Sequence, residues 1–137
     1  MAEISLQKVT QKGIFRRGDK YLFVKEDNQF WELPGGRLEL GEELEAGFAR
    51  EIEEELGWQN VKMGQVVSVW SKKGLASTHI QYIVVCVLAE AKDESIALSD
   101  EHIDFGWFTL AELETMQVLP GFIESIKKAE KVKEKNV

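Results

Sequence analysis

The sequence of 137 residues contains a single cysteine, Cys86. A disulfide within the chain is therefore impossible. Because Cys86 lies inside the apolar run QYIVVCVLA, we expect a buried thiol that packs as a small hydrophobic side chain. No apolar stretch approaches the length of a membrane span, and the N-terminal residues MAEISLQKVT show no signal-peptide pattern. We therefore expect a cytoplasmic protein that does not enter a membrane.

Positive charge is also scarce, since 17 Lys and Arg residues face 24 Asp and Glu residues, which gives a net charge of −7. This balance argues against a protein that coats a nucleic-acid duplex or a membrane surface, because no dominant basic face is available. It leaves open a small anionic substrate, provided that a metal ion and a few local cations oppose its charge. The length predicts one domain over residues 1–137, as a monomer or homodimer, with a frayed Lys/Glu-rich tail from about residue 128.

The pattern of apolar residues predicts a mixed sheet with helices on both faces, in an α/β or α+β sandwich. Strands are expected at residues 5–15, 21–25, 29–33, 61–70, 79–89 and 104–108. The turn RRGDK predicts that the first two strands form a hairpin, and KKGLAS lies between the members of a second pair. The run at residues 83–88 is apolar throughout, which predicts a central strand covered on both faces. Thr109 and Glu112 form a capping-box pattern, and Pro120 begins a C-terminal helix.

Three glutamates lie close together on a predicted helix at residues 43–56. Its apolar stripe consists of Leu44, Phe48, Ala49, Ile52 and Leu56. Glu51, Glu54 and Glu55 stand at i, i+3 and i+4, so their like charges repel. Two of them also fall in the last turn, where the helix dipole disfavours negative charge. A hard divalent cation with oxygen ligands would turn this repulsion into coordination, so the pattern indicates a metal site.

The same helix belongs to a longer motif at residues 36–58, GRLELGEELEAGFAREIEEELGW, which we call the box. It resembles the signature of the Nudix hydrolase family, G-x5-E-x7-R-E-U-x-E-E-x-G-U, where U is a bulky aliphatic residue. The matching residues are Gly36, Glu42, Arg50, Glu51, Ile52, Glu54, Glu55 and Gly57. Trp58 departs from the aliphatic type, which we expect to affect packing more than chemistry. WELPGG before the box and EHIDFGWF near the end extend the resemblance, which implies an α/β/α sandwich around a mixed β-sheet.

The resemblance implies hydrolysis of a diphosphate linkage in a nucleoside diphosphate joined to another group, with Mg²⁺ or Mn²⁺. Glu54 and Glu55 are then expected as principal metal ligands and Glu51 as a further one. The backbone carbonyl of Gly35 or Gly36 is a plausible additional ligand, since glycine lets the chain approach an ion closely.

Other residues of the motif are expected to support the reaction. Arg50 would orient the carboxylates through a forked salt bridge, and Glu42 would support the loop before the helix. The general base is either a box glutamate or Glu101 of the later loop, which could also bind metal. Asp100 and Asp104 are weaker candidates for that role. The expected catalytic set is Glu51, Glu54, Glu101 and Arg50.

Substrate contacts are harder to assign. Arg37 could reach a phosphate, as could Arg16, although either could be a surface residue. For the cations in the predicted turns, the simpler interpretation is a charge exposed to solvent. For the histidines, it is an ordinary polar position. Trp31, Trp70 and Tyr82 could stack a base, but packing in the core or on the sheet is favoured. The residues treated as solvated or ordinary are Arg17, Lys72, Lys73, His79 and His102.

The substrate itself is left open by the sequence. The stretch KKGLAS, beyond the box, contains no Pro or Tyr of the kind that separates family subgroups. This favours nucleoside triphosphates, including damaged ones, over ADP-ribose or dinucleoside polyphosphates. A second hypothesis is a module that binds a nucleotide without cleaving it, although such a module would be expected to have lost box glutamates. A third is a structural domain with a merely solvated acidic helix.

Overall fold

The computed structural model describes residues 5–74, 79–92 and 95–135. The strands are β1 (Leu6–Ile14), β2 (Arg16–Arg17), β3 (Lys20–Glu26), β4 (Trp31–Glu32), β5 (Gly35–Arg37), β6 (Val61–Lys73), β7 (Ile80–Ala91) and β8 (His102–Phe108). The helices are α1 (Leu44–Leu56), α2 (Leu110–Leu113) and α3 (Pro120–Lys135). Part of the turn expected around KKGLAS falls on residues 75–78, outside the described residues, as does the end of the expected tail at 136–137.

The strands form two four-stranded sheets, which confirms the α+β class with a mixed sheet. The first has the order β5-β1-β7-β6, in which β1 and β7 are parallel and the other neighbours antiparallel. In the second, the central strand β3 pairs antiparallel with β2, β4 and β8.

The first predicted hairpin is only partly correct. Its turn joins β3 to the two-residue strand β2, whereas β1 pairs with β5 and β7 in the other sheet. The last five residues of β1 are all buried, which requires neighbours on both edges and cover on both faces. Phe15 then packs edge-to-face on Trp58, with 5.1 Å between ring centroids, where the chain passes between the sheets. The turn therefore forms where the sequence predicts it, but burial of this segment pairs β1 with strands of the other sheet.

Two apolar clusters cover opposite faces of the central strand β7. Val84 and Cys86 pack in the cluster beneath α3, and Val87 packs in the cluster beneath α1. This confirms that residues 83–88 are covered on both faces and that Cys86 is a buried free thiol. Beneath α3, Ser125 Oγ lies 2.6 Å from Ser68 Oγ, so the buried hydroxyls satisfy each other.

Helix α1 begins at Leu44, one residue after the predicted start, and ends before Gly57, whose φ of 75° is the left-handed conformation that glycine tolerates. Phe48, Ile52 and Leu56 are fully buried. The predicted stripe was wrong at its edges, because Ala49 is exposed and Leu44 is 55% exposed. The apolar face is therefore narrower than the sequence pattern suggested, and the glutamates lie along its margin.

The two other helices begin as predicted. Thr109 and Glu112 form a complete capping box at α2, and Pro120 is the first residue of α3. Helix α3 extends to Lys135, with Ile126 and Ala129 buried against the sheet. Among the described residues, no helix is long and apolar enough to span a membrane.

Candidate active site

Residues from both ends of the chain meet at an open cavity of about 570 Å³, which we call the box cavity. Helix α1 supplies one wall and β5 another, while β1, β7 and the start of β8 close the remainder. Most of the residues expected from the sequence line it together, namely Gly35, Gly36, Arg37, Arg50, Glu51, Glu54, Glu55 and Glu101. Glu42 lies just outside and is bonded to Arg50. The box thus forms one continuous surface with the later loop.

Arg50 is the centre of a network of carboxylates on this wall. Its Nε and NH2 groups donate to the two oxygens of Glu42 at 2.6 and 2.8 Å, which is a forked salt bridge. Its NH1 donates to Glu51 at 3.0 Å and to Glu54 at 3.2 Å. The hydrogen bonds from Arg50 lower the pKa of Glu42 to about 2. A single guanidinium therefore holds three carboxylates in place and offsets part of their repulsion.

Glu55 is the buried member of the glutamate trio. Its Oε2 accepts a hydrogen bond of 2.8 Å from the backbone N–H of Gly35, so the helix and the glycine turn are joined directly. Burial raises the pKa of Glu55 to about 7, although Lys12 and the Gly35 N–H oppose the shift. A buried carboxylate with so few compensating contacts is costly without a cation.

The Gly36 position explains why the motif requires glycine. A Cβ built on Gly36 would overlap the carboxylate of Glu51, so any other residue would displace that side chain. At Gly35, φ is 137° and a Cβ would overlap the carbonyl of Gln11 on β1. The two glycines thus let the backbone pass within contact distance of both the helix and the neighbouring strand.

A second set of charged residues lines the same cavity and was missed by the sequence analysis. The ammonium of Lys12 donates to Glu32 Oε1 at 3.2 Å and to the carbonyl of Gly35 at 3.1 Å. His102 Nε2 lies 3.6 Å from Glu32 Oε1, and this histidine is buried rather than in the ordinary polar position expected for it. Glu26 lies beside them. The pairing of β3 with β4 and β8 brings Glu26, Glu32 and His102 together, and the pairing of β1 with β5 and β7 places Lys12, so no local pattern could have revealed the set.

The charges in this set depend on one another. Burial opposes ionisation of Glu32, but Lys12 and His102 outweigh it and hold the pKa of Glu32 below its usual range. Burial likewise opposes a charged Lys12, yet Glu32 and Glu55 hold its pKa above the usual value. Burial, together with the hydrogen bond to Glu32, raises the pKa of Glu26 to about 7.

Glu101 reaches the cavity because its loop is tied to the end of α1. The last carbonyls of a helix have no partner within it. Here Ala97 N–H donates to the carbonyl of Leu56 at 3.0 Å, and Ser99 N–H donates to that of Glu55 at 3.1 Å. Glu101 follows two residues later with an exposed side chain. The fold therefore brings Glu101 to the cavity that Glu51, Glu54 and Glu55 line.

The remaining expected residues divide between the box cavity and other places. Tyr82 and Lys72 line the box cavity, and Lys72 lies in β6 rather than in the predicted turn, as does Lys73. Arg16 and Arg17 form β2 and line a different cavity, so the structure does not bring Arg16 to the box. Trp31 packs on Phe108 and Trp70 on Phe122, with 5.0 and 4.9 Å between ring centroids. Asp100, Asp104 and His79 are exposed.

Two groups of residues could hold a cation. Within the described part of the chain, only Glu26, Glu32 and His102 offer three ligand atoms all within 4.8 Å of one another. That group already contains the ammonium of Lys12, which opposes a second cation. The box carboxylates are also bonded to a cation, Arg50, but it is one charge among Glu42, Glu51 and Glu54, and their oxygen donors suit a hard ion such as Mg²⁺. Because Gly35 O accepts from Lys12, Gly36 is the better backbone ligand of the two.

Comparisons with known proteins point to one family. The family profile described as NUDIX domain matches residues 10–128. A MutT-like protein of Streptomyces ambofaciens is 48% identical over 54 residues, which is 38% of this chain and 35% of that protein. The ADP-ribose pyrophosphatase of Bacillus subtilis (strain 168) is 28% identical over 81 residues, which is 59% of this chain and 44% of the relative. The matches thus span less than half of these relatives.

The fold also matches solved structures over nearly its full length. A NUDIX hydrolase from Nitrosomonas europaea superposes with a TM-score of 0.77 at 23% identity, covering 93% of this chain and 91% of the other. At that identity the likeness concerns the fold alone. It agrees with the arrangement of two sheets and flanking helices described above.

Proposed function

The chain belongs to the Nudix hydrolase family, and on that premise we propose that it hydrolyses a diphosphate linkage in a nucleotide with the help of Mg²⁺. The leading substrates are nucleoside triphosphates, including damaged ones, cleaved to the monophosphate and pyrophosphate. One observation carries the proposal: every carboxylate of the motif is retained, and Glu51, Glu54, Glu55 and Glu101 line a single cavity. A module that only binds nucleotides has no need to keep this set.

The proposed metal ligands are Glu51, Glu54 and Glu55, with the carbonyl of Gly36. A bound Mg²⁺, or Mn²⁺ in its place, would neutralise the phosphate oxygens and favour attack by water. Arg50 holds Glu51 and Glu54 in place through its hydrogen bonds of 3.0 and 3.2 Å and thus serves as a positioning residue.

In the proposed reaction, a water oxygen bonds to phosphorus while the bond between that phosphorus and the bridging oxygen breaks. Pyrophosphate leaves with the bonding electrons, and the proton of the water passes to a carboxylate. We assign this general base to Glu101, because it lines the cavity and is exposed to solvent. A box glutamate is the alternative base. Arg37 and Lys72, which line the same cavity, would contact the phosphates.

The alternative substrates are dinucleoside polyphosphates and ADP-ribose. One relative is named an ADP-ribose pyrophosphatase, which keeps that substrate in consideration. Of the aromatic candidates Trp31, Trp70 and Tyr82, Tyr82 is the one that lines the box cavity, and it could stack a base. Stacking tolerates every base, so this residue does not select among the nucleotides.

The test is release of phosphate and pyrophosphate across a panel of nucleoside triphosphates, ADP-ribose and dinucleoside polyphosphates with Mg²⁺. Glu54→Gln should lower turnover by about 100-fold or more, since it removes a ligand charge. Glu53→Gln is the matched control, because this exposed neighbour does not line the box cavity. If the wild-type protein binds a nucleotide and turns over none of the panel, the non-catalytic binding module replaces the hydrolase.

A further inference from the structure

A second cavity lies at the other end of the mixed sheet. It has a volume of about 350 Å³, and we call it the distal cavity. The residues that define it are Phe15, Arg17, Trp58, Lys62, Lys92 and Trp107. None of the described residues lines both this cavity and the box cavity. On strand β7, Val84 lines the box cavity and Glu90 lines the distal cavity. These positions are six residues apart, and six residues of strand span about 20 Å, so the two cavities are well separated.

The distal cavity carries the opposite charge from the chain as a whole. Among the described residues, Arg16, Arg17, Lys62 and Lys92 line it, and Glu90 is the one carboxylate. Strand register places Lys62 opposite Glu90, yet none of the four cations forms an ion pair with a carboxylate in residues 5–74, 79–92 and 95–132. Four such cations around one concave site, in a chain of net charge −7, attract an anion.

The floor of the cavity is buried and aromatic. Phe15 and Trp58 are 2% and 1% exposed, and the indole N–H of Trp58 donates to the carbonyl of Ser95 at 2.9 Å. The guanidinium of Arg17 lies 4.3 Å from the centre of the Trp107 ring. Stacking on a ring restrains the guanidinium while leaving its N–H groups at the ring's edge free to donate. The cationic group is therefore held in place before any ligand arrives.

We propose that the distal cavity binds a phosphate-bearing anion, either free pyrophosphate or the phosphate group of a nucleotide. A guanidinium binds phosphate oxygens through two parallel N–H bonds, and the flanking lysines add charge without demanding a fixed geometry. The volume accommodates a small ligand. The site is separate from the box cavity and does not depend on hydrolysis there.

The experiment uses the full chain in EDTA, because the box carboxylates repel polyanions when no cation is present. Pyrophosphate and a nucleoside monophosphate are titrated separately, with affinity measured by calorimetry and location by ¹H–¹⁵N correlation spectra. We expect shifts of the Arg17 amide and of the Trp58 and Trp107 indole signals. Arg17→Gln should weaken binding about tenfold, as should Lys92→Gln, which alters an exposed residue and should not disturb folding. Lys128→Gln, an exposed change on α3, is the control and should bind as the wild type does.

The two ligands distinguish the sources of the anion. Tighter binding of the monophosphate identifies a nucleotide, and tighter binding of pyrophosphate identifies the free anion. The proposal is overturned if neither ligand binds at about 10 mM, a concentration at which even a weak site is occupied. It is also overturned if Arg17→Gln and Lys92→Gln both bind as tightly as the wild type, or if the shifts occur at Gly36 and Arg37 instead.

Discussion

The ammonium nitrogen of Lys12 lies 3.2 Å from Glu32 Oε1, and both side chains are buried. A buried ion pair depends on both partners, since removal of one leaves an uncompensated charge. Here the same ammonium also donates to the Gly35 carbonyl, at the turn that leads into the box. The pair therefore couples the stability of the fold to the shape of the proposed active site.

Replacing Lys12 by Met should destabilise the protein by about 3 kcal/mol, because Glu32 would remain buried without its main counter-charge. Urea unfolding followed by circular dichroism measures the change. Lys127→Met is the matched control: its 3.4 Å pair with Glu124 is exposed, so the loss should stay below about 1 kcal/mol. Equal losses in the free energy of unfolding for the two substitutions would show that burial does not make the Lys12 pair more important for stability.

Replacing Gly36 by Ala should impair activity more than stability. The added Cβ would overlap the end of the Glu51 side chain, which can swing away at little cost to the fold. Its carboxylate would then leave the proposed metal site, and kcat/KM should fall at least about tenfold. Gly18→Asn serves as a control, since that glycine has φ of 61°, which Asn tolerates, and open space around it. Unchanged kcat/KM in the Gly36 variant would argue against Glu51 as a ligand.

The position of the cation can be tested by Mn²⁺ binding, measured by electron paramagnetic resonance. Glu54→Gln should weaken binding at least about tenfold, because it removes a charged oxygen ligand. Glu26→Gln should change it less than about twofold, since Lys12 already supplies positive charge to the group of Glu26, Glu32 and His102. The reverse ranking of the two variants would move the metal centre to that group.

Stability should depend on pH through Glu26. Burial and the hydrogen bond to Glu32 raise the pKa of Glu26 to about 7 in the folded state. Between about pH 4.5 and 7 the folded protein therefore holds more protons at this site than the unfolded chain, and this contribution to stability falls as pH rises. Because Glu26 is only partly buried and solvent screens its interactions, the loss should stay below about 2 kcal/mol.

Glu26→Gln mimics the protonated side chain, so the variant should gain stability relative to the wild type at pH 8 and not at pH 4. Urea unfolding of the metal-free protein at several pH values provides the comparison. Asp27→Asn removes an exposed neighbouring carboxylate and should leave the dependence of the free energy of unfolding on pH as it is in the wild type. If the free energy of unfolding changed with pH equally in the Glu26 variant and the wild type, the pH dependence would arise from another group.

Features with a strong local pattern were predictable from the sequence. Helix α1 was placed within one residue at its start, because Phe48, Ile52 and Leu56 repeat at the helical period and Gly57 ends the helix. The capping box at Thr109 was found for the same reason. The motif also identified Gly36 and the three glutamates, which do line one cavity.

Features that depend on pairing between distant segments were not predictable. Lys12 looked like one of several polar residues on a strand, and only the parallel pairing of β1 with β7 and the approach of β4 bury it beside Glu32. His102 had no partner at a recognisable spacing, since Glu32 is 70 residues away. Arg16 and Arg17 belong to the predicted turn RRGDK, and the pairing of β2 with β3 in the second sheet places them at the distal cavity.

The parallel pairing of β1 with β7 also constrains the order in which the molecule can assemble. Leu6 lies opposite Ile80 and Ile14 opposite Leu88, so the two central strands are 74 residues apart in the chain. Contacts of such separation form late and slow folding. A ribosome-bound chain that has emerged only as far as Trp58 carries the whole motif, but lacks the strand against which β1 is buried. During synthesis, the acidic helix therefore precedes the sheet that positions it.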